Sequence, residues 1–201
     1  LTMVGTATVT ATNSSLRISA SGNIALGNLT AANVSVISSG GAITNATGTT
    51  KNVTATNLRL ESDDAIGASG RHLSLNVVNV TAHSAGTDSA GIYLTEDSAI
   101  TVDTVAVTVT DFNADATTTV VTDASQSDLV TGANGNIVLV ATTGDITLND
   151  GTDVSGTPGE NNTDGTAVSA NGSGSVLVDA VAGNVTVNAD ILSGTGDITL
   201  K

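Results

Sequence analysis

The sequence predicts an all-β fold built as a parallel β-helix, a β-solenoid of short strands coiled around a narrow core. Three observations carry this. The core formers are almost all Val, Ile, Leu and Ala, with one Phe, one Tyr, one Met and no Trp among 201 residues. Branched aliphatics without aromatics suit a thin interior rather than the wide gaps of a globular core. A short motif then recurs, Gly, then Asn or Asp, then aliphatic, any residue, aliphatic. Finally, residues 135–149 align with 174–188 at a fixed offset, a period that signals a repeat architecture.

The motif reads Gly22-Asn23-Ile24-Ala25-Leu26, Gly135-Asn136-Ile137-Val138-Leu139 and Gly144-Asp145-Ile146-Thr147-Leu148. It returns as Gly183-Asn184-Val185-Thr186-Val187 and Gly196-Asp197-Ile198-Thr199-Leu200. Gly supplies a permissive backbone, expected here at positive φ, and Asn or Asp closes the turn. The alternating triplet is a strand with one buried face. In the longer alignment Gly135 matches Gly174, Ile137 Val176, Leu139 Val178, Gly144 Gly183 and Asn149 Asn188. That offset is read as two coils of about twenty residues each.

The amino-terminal half carries a looser version. Leu16-Arg17-Ile18 is followed by Ile24, Val34-Ser35-Val36 by Ile43, and Leu58-Arg59-Leu60 by Ile66. Leu73-Ser74-Leu75, Ile92-Tyr93-Leu94 and Ile100-Thr101-Val102 continue it. Strands of about three to five residues, two or three per coil, give about nine or ten coils and one solenoid unit over residues 1–201. Two stretches break the pattern: 111–134, expected as a loop or a strand pair with a turn, and 150–166, expected as a surface excursion around Pro158. Both ends run directly into strand motifs, so the chain is expected to be a segment of a longer rod or to meet neighbours end to end. An antiparallel β-sandwich is the alternative fold; its longer strands and wider core fit less well. Helix has no support, because no sustained 3.6-residue apolar period exists.

The stretches at 135–150 (GNIVLVATTGDITLND), 174–190 (GSVLVDAVAGNVTVNAD) and 57–102 resemble the filamentous-haemagglutinin type of exoprotein repeat found in giant bacterial adhesins. The resemblance implies a right-handed parallel β-helix and export to the cell surface or medium, often by two-partner secretion. It also implies a stalk or adhesive rod as the role.

Charge narrows the partners. The formal net charge is −14, and between His72 and Leu200 sixteen Asp and Glu stand without a Lys or Arg. Such a chain lacks the basic patch that nucleic acid requires. No apolar run is long enough for a transmembrane helix. With no cysteine, disulfides and thiol chemistry are excluded. Expected partners are therefore neighbouring coils of the same protein or identical subunits, with carbohydrate or a host or cell surface as a further possibility.

Catalysis and cofactors are not expected. His72 and His83 are read as surface or turn residues, and no nucleophile elbow is present. The carboxylates Glu61, Asp63, Asp64, Glu96 and Asp97, with Arg59 and Arg71 beside the first group, are the only basis for a carbohydrate-active enzyme. Aromatic platforms are missing apart from Tyr93 and Phe112. Calcium is the one metal considered, at the turn residues Asp145, Asp150, Asp153, Asp164 and Asp197. The competing reading is that each Asp closes its own turn. The functional expectation is a structural rod of a secreted or surface adhesin, followed by a self-assembling subunit of an extracellular filament, sheath or surface layer.

Overall fold

The computed structural model describes residues 1–152 and 165–201. Among these the chain is all β. Its strands are β1 (Thr8–Ala20), β2 (Ile24–Leu26), β3 (Asn28–Ser38), β4 (Ile43–Asn45), β5 (Val53–Ser62) and β6 (Leu73–Ser84). They continue as β7 (Ile92–Glu96), β8 (Ile100–Val102), β9 (Val105–Phe112), β10 (Thr118–Gln126), β11 (Leu129–Thr131) and β12 (Ile137–Ala141). The last are β13 (Ile146–Leu148), β14 (Thr166–Ala170), β15 (Val176–Ala180), β16 (Val185–Val187), β17 (Asp190–Ser193) and β18 (Ile198–Leu200). Fourteen strands form one large sheet. Its pairings are parallel, and β2–β4 is a further parallel pair. That pairing excludes the antiparallel sandwich. Among the described strands only β9 and β10 pair antiparallel.

Parallel pairing stacks like on like. Ile24, Ile43, Ile66, Ile92, Ile137, Val176 and Ile198 form one continuous series of partners. Leu16, Val34, Leu58, Val80, Val102, Leu148 and Val187 form a second. A third runs Ile18, Val36, Leu60, Ala82, Leu129, Val168 and Ile191. Most of these side chains are fully buried. A β-branched or Leu side chain directly above another fills the space between strands about 4.8 Å apart, so no aromatic is needed.

Polar columns lock the edges of the aliphatic ones. Asn79 Nδ2 donates to Asn57 Oδ1 at 2.9 Å, and Asn57 Nδ2 donates to Asn33 Oδ1 at 2.7 Å. Asn33 in turn donates to Ser15 Oγ at 3.3 Å. Ser38, Ser62, Ser84 and Thr131 stack in register, all buried. Each hydroxyl donates to a carbonyl of the turn that follows or of its neighbour below, as Ser62 does to Gly41 at 2.6 Å and Thr131 to Gly135 at 3.1 Å.

Several expectations need correction. The early strands are not short: β1, β3, β5 and β6 hold 13, 11, 10 and 12 residues. No Gly-Asn turn interrupts them, so one strand spans what later becomes two. The 39-residue offset is one step of the stack, not two, because Ile137 pairs directly with Val176 and Ile146 with Val185. Most of the expected surface excursion at 150–166, residues 153–164, lies outside the described residues. Lastly, among the motif glycines only Gly144 has a positive φ, of 81°. At Gly174 the requirement is close approach, since a Cβ there would overlap the carbonyl oxygen of Gly135. The expected excursion at 111–134 begins earlier than expected, with the β9–β10 hairpin from Val105, and the chain rejoins the sheet at Leu129.

Glu96 stands where long strands give way to split ones. It occupies an inward column between Leu75 and Ala141, with no exposed surface. From Leu75 to Asn79 is four residues, whereas the partners Glu96 and Thr101 are five apart. The extra residue leaves β6 amides without a strand opposite. Glu96 Oε2 accepts from Val77 N at 2.9 Å. Its Oε1 accepts from Asp97 N, Ser98 N and Ser98 Oγ at 2.9, 3.0 and 2.9 Å. The carboxylate thus replaces a missing strand.

Glu96→Gln places an amide NH2 against that ring of donors and should lower stability by about 3 kcal/mol in urea unfolding. Gly174→Ala should cost ~3 kcal/mol by overpacking against Gly135, whereas Gly22→Ala, where a Cβ meets nothing within 4 Å, should be near neutral in the same assay.

Candidate functional site

The most elaborate side-chain arrangement outside the aliphatic core is the seat of the β9–β10 hairpin. Inward residues alternate with outward ones along each strand, and Arg17, Ser35, Arg59 and Thr81 are register partners in one outward row. The hairpin lies on this row and buries it. Arg17 Nε donates to both carboxylate oxygens of Asp123, at 2.9 and 3.0 Å. Arg59 Nε donates to the Ala124 carbonyl at 3.0 Å, and its Nη2 to Glu61 Oε2 at 2.7 Å. Gln126 Nε2 reaches the Leu60 carbonyl at 2.9 Å and Thr81 Oγ1 at 3.1 Å. Val105 and Val107 supply the apolar part of the contact.

Contacts therefore run from β6 through β5 to β1 as β10 is followed backward from Gln126 to Asp123. Towards the tip the hairpin becomes exposed. Phe112, the only Phe, is 76% exposed and stands opposite Thr118, and Val120 is exposed beside it. Asp115 closes the tip by accepting from Thr117 N at 3.0 Å and Thr117 Oγ1 at 2.7 Å. The Thr117 hydroxyl holds the Asp115 carboxyl below its usual value, with the Thr117 amide adding to the effect.

The acidic residues singled out in the sequence are distributed rather than gathered. Glu61 is held by Arg59. Asp63, Asp64 and Asp88 line an open cleft of about 490 Å³ floored by glycines. Arg71 points away from it, donating to Thr47 Oγ1 at 3.1 Å and to the Ala46 carbonyl. Asp97 pairs with Lys51. Asp145 Oδ1 accepts from Asn184 N at 2.8 Å and from Asn184 Nδ2 at 3.2 Å, bonding the turn of the next layer. Asp150 and Asp197 are exposed. Asp153 and Asp164 lie outside the described residues. Among the described residues no three His, Asp or Glu side chains come together as a metal-binding group.

The histidines differ from each other. His83 is not in a turn; it lies in β6 and is buried, because the hairpin and β11 cover that part of the strand. His72 is half-buried, with Nδ1 at 2.8 Å from Thr95 Oγ1 and its ring 5.8 Å from Tyr93 at 37°. Burial lowers its pKa, and a hydrogen bond with the Leu94 backbone opposes that in part. Sequence reasoning missed the hairpin seat. The only available signal was the placement of two arginines at outward strand positions, Arg17 and Arg59.

No helix among the described residues is long and apolar enough to cross a membrane. No family model, curated protein or solved structure matches the chain.

Asp123→Ala should release the hairpin, seen as faster hydrogen exchange across 105–126 with the β3–β5 amides unchanged. His72 should titrate below its ordinary value by NMR. Its folded pKa is depressed, so the unfolded chain binds the proton more readily. Stability should therefore fall as pH drops below about 6.5 and should not do so in His72→Gln.

Proposed function

We propose that the chain is a right-handed β-solenoid that serves as a structural rod or stalk segment of a bacterial surface or secreted adhesin, outside the cell and without catalytic activity. One observation carries the architectural part. The parallel partners follow one another through the whole chain with the same side chains facing inward at each step. A helical path with a strand on each side accounts for this more simply than a flat sheet, and parallel crossovers are right-handed as a rule. Seven members of the Ile24 column, preceded by the Thr2–Ala25 bridge, correspond to eight turns. That is fewer than length alone suggests, since the β9–β10 hairpin takes up chain outside the stack.

The functional part rests on the resemblance of the repeat motif to adhesin exoproteins and on the acidic, aliphatic, cysteine-free composition. A stack whose strand pairings are between neighbouring layers extends by repetition and resists bending, which suits a spacer. High net negative charge keeps such rods apart from one another. The exposed hairpin tip with Phe112 is the element that stands out from an otherwise regular surface.

Sedimentation velocity with and without calcium tests the reading. A monomer with the frictional ratio of an elongated particle is expected under both conditions. Long polymers, formed alone or on adding calcium, would favour a self-assembling filament or sheath subunit. A compact sphere would contradict the rod.

A further inference from the structure

The hairpin seat contains two buried polar atoms that no group of the chain satisfies among the described residues. Ser35 is fully buried and Arg59 is 5% exposed. Ser35 Oγ and Arg59 Nη1 each meet no hydrogen-bond partner. The two residues are register partners on adjacent strands, facing outward beneath the same hairpin. Buried donors and acceptors of this kind are nearly always satisfied, by protein or by internal water. Two such atoms on neighbouring residues point to one shared occupant rather than to two separate defects.

We propose that Ser35 Oγ and Arg59 Nη1 form a small internal binding site for a single water molecule that bridges the sheet under the β9–β10 hairpin. The charge count selects water over an anion. Arg17 already faces Asp123 and Arg59 already faces Glu61, so both guanidinium charges are compensated. An added halide would leave a net negative charge under cover, with the Asp123 carboxylate in the same seat. A neutral molecule that accepts from Nη1 and exchanges a hydrogen bond with the serine hydroxyl fits the chemistry of both atoms. The hairpin is then held by a wet, polar seat with a fixed water as one of its parts.

The test is a high-resolution crystal structure of the whole chain, with a second crystal grown in sodium bromide. The expected result is one solvent peak within roughly 2.7–3.2 Å of both atoms, without anomalous signal in bromide. Water-to-protein Overhauser transfer in solution should report a long-lived water at the Arg59 Nη1 protons. A protein group bonded directly to Nη1, or a dry seat, would overturn the proposal. A bromide peak at the position would replace water with an anion.

Discussion

The fixed spacing of about 4.8 Å between hydrogen-bonded strands is the constraint on which the structure depends. It forces every inward side chain to sit directly on its counterpart one layer away. A column tolerates only residues that fill that spacing without protruding into the next layer. Ile over Ile, Val over Leu and Ser over Ser meet the condition, and the near absence of aromatics follows from it. The same spacing explains the asparagine column, since an amide can donate to the identical amide above and accept from the one below. Gly174 beneath the Gly135 carbonyl answers the same demand in the turns, where backbone rather than side chain makes the closest approach.

Among the described residues, two breaks in regularity are repaired by a polar device. Where one strand becomes two, the Glu96 carboxylate accepts from Val77 of β6 and from the Asp97 and Ser98 amides of its own turn. Where the hairpin leaves the stack, Arg17, Arg59 and Gln126 tie it back to the outer face. Buried charge is tolerable at both because each group has partners aimed at it. These are costly solutions compared with an apolar core, and they mark the points where the chain departs from simple repetition.

Much of the fold was legible in the sequence because stacking imposes identity at fixed separations. The match of Ile137 with Val176 and Ile146 with Val185, visible as text, is the hydrogen-bonding register itself. What the sequence does not reveal is how many layers the offset spans, since the separation of two matched residues does not fix the number of strands between them. Strand length was misread in the first half for a related reason: Asn33, Asn57 and Asn79 look like turn formers but stack as a ladder inside long strands. The roles of Glu96 and the hairpin seat depend on contacts over 19 to 106 residues, beyond any local pattern. The calcium candidate Asp145 makes another such contact: it accepts from Asn184 in the turn of the following layer rather than closing its own turn.

A cysteine pair tests the stacking account most directly, in a chain that has no cysteine of its own. Val138 and Leu177 are partners across β12 and β15, and both point outward. If the 39-residue offset is a single step, their Cα atoms lie about 4.8 Å apart, within disulfide range. Val138→Cys/Leu177→Cys should then cross-link readily under mild oxidation, while Val138→Cys/Thr199→Cys, one layer further, should not. The reverse pattern, or no cross-link in the first pair of a folded chain, would contradict in-register stacking.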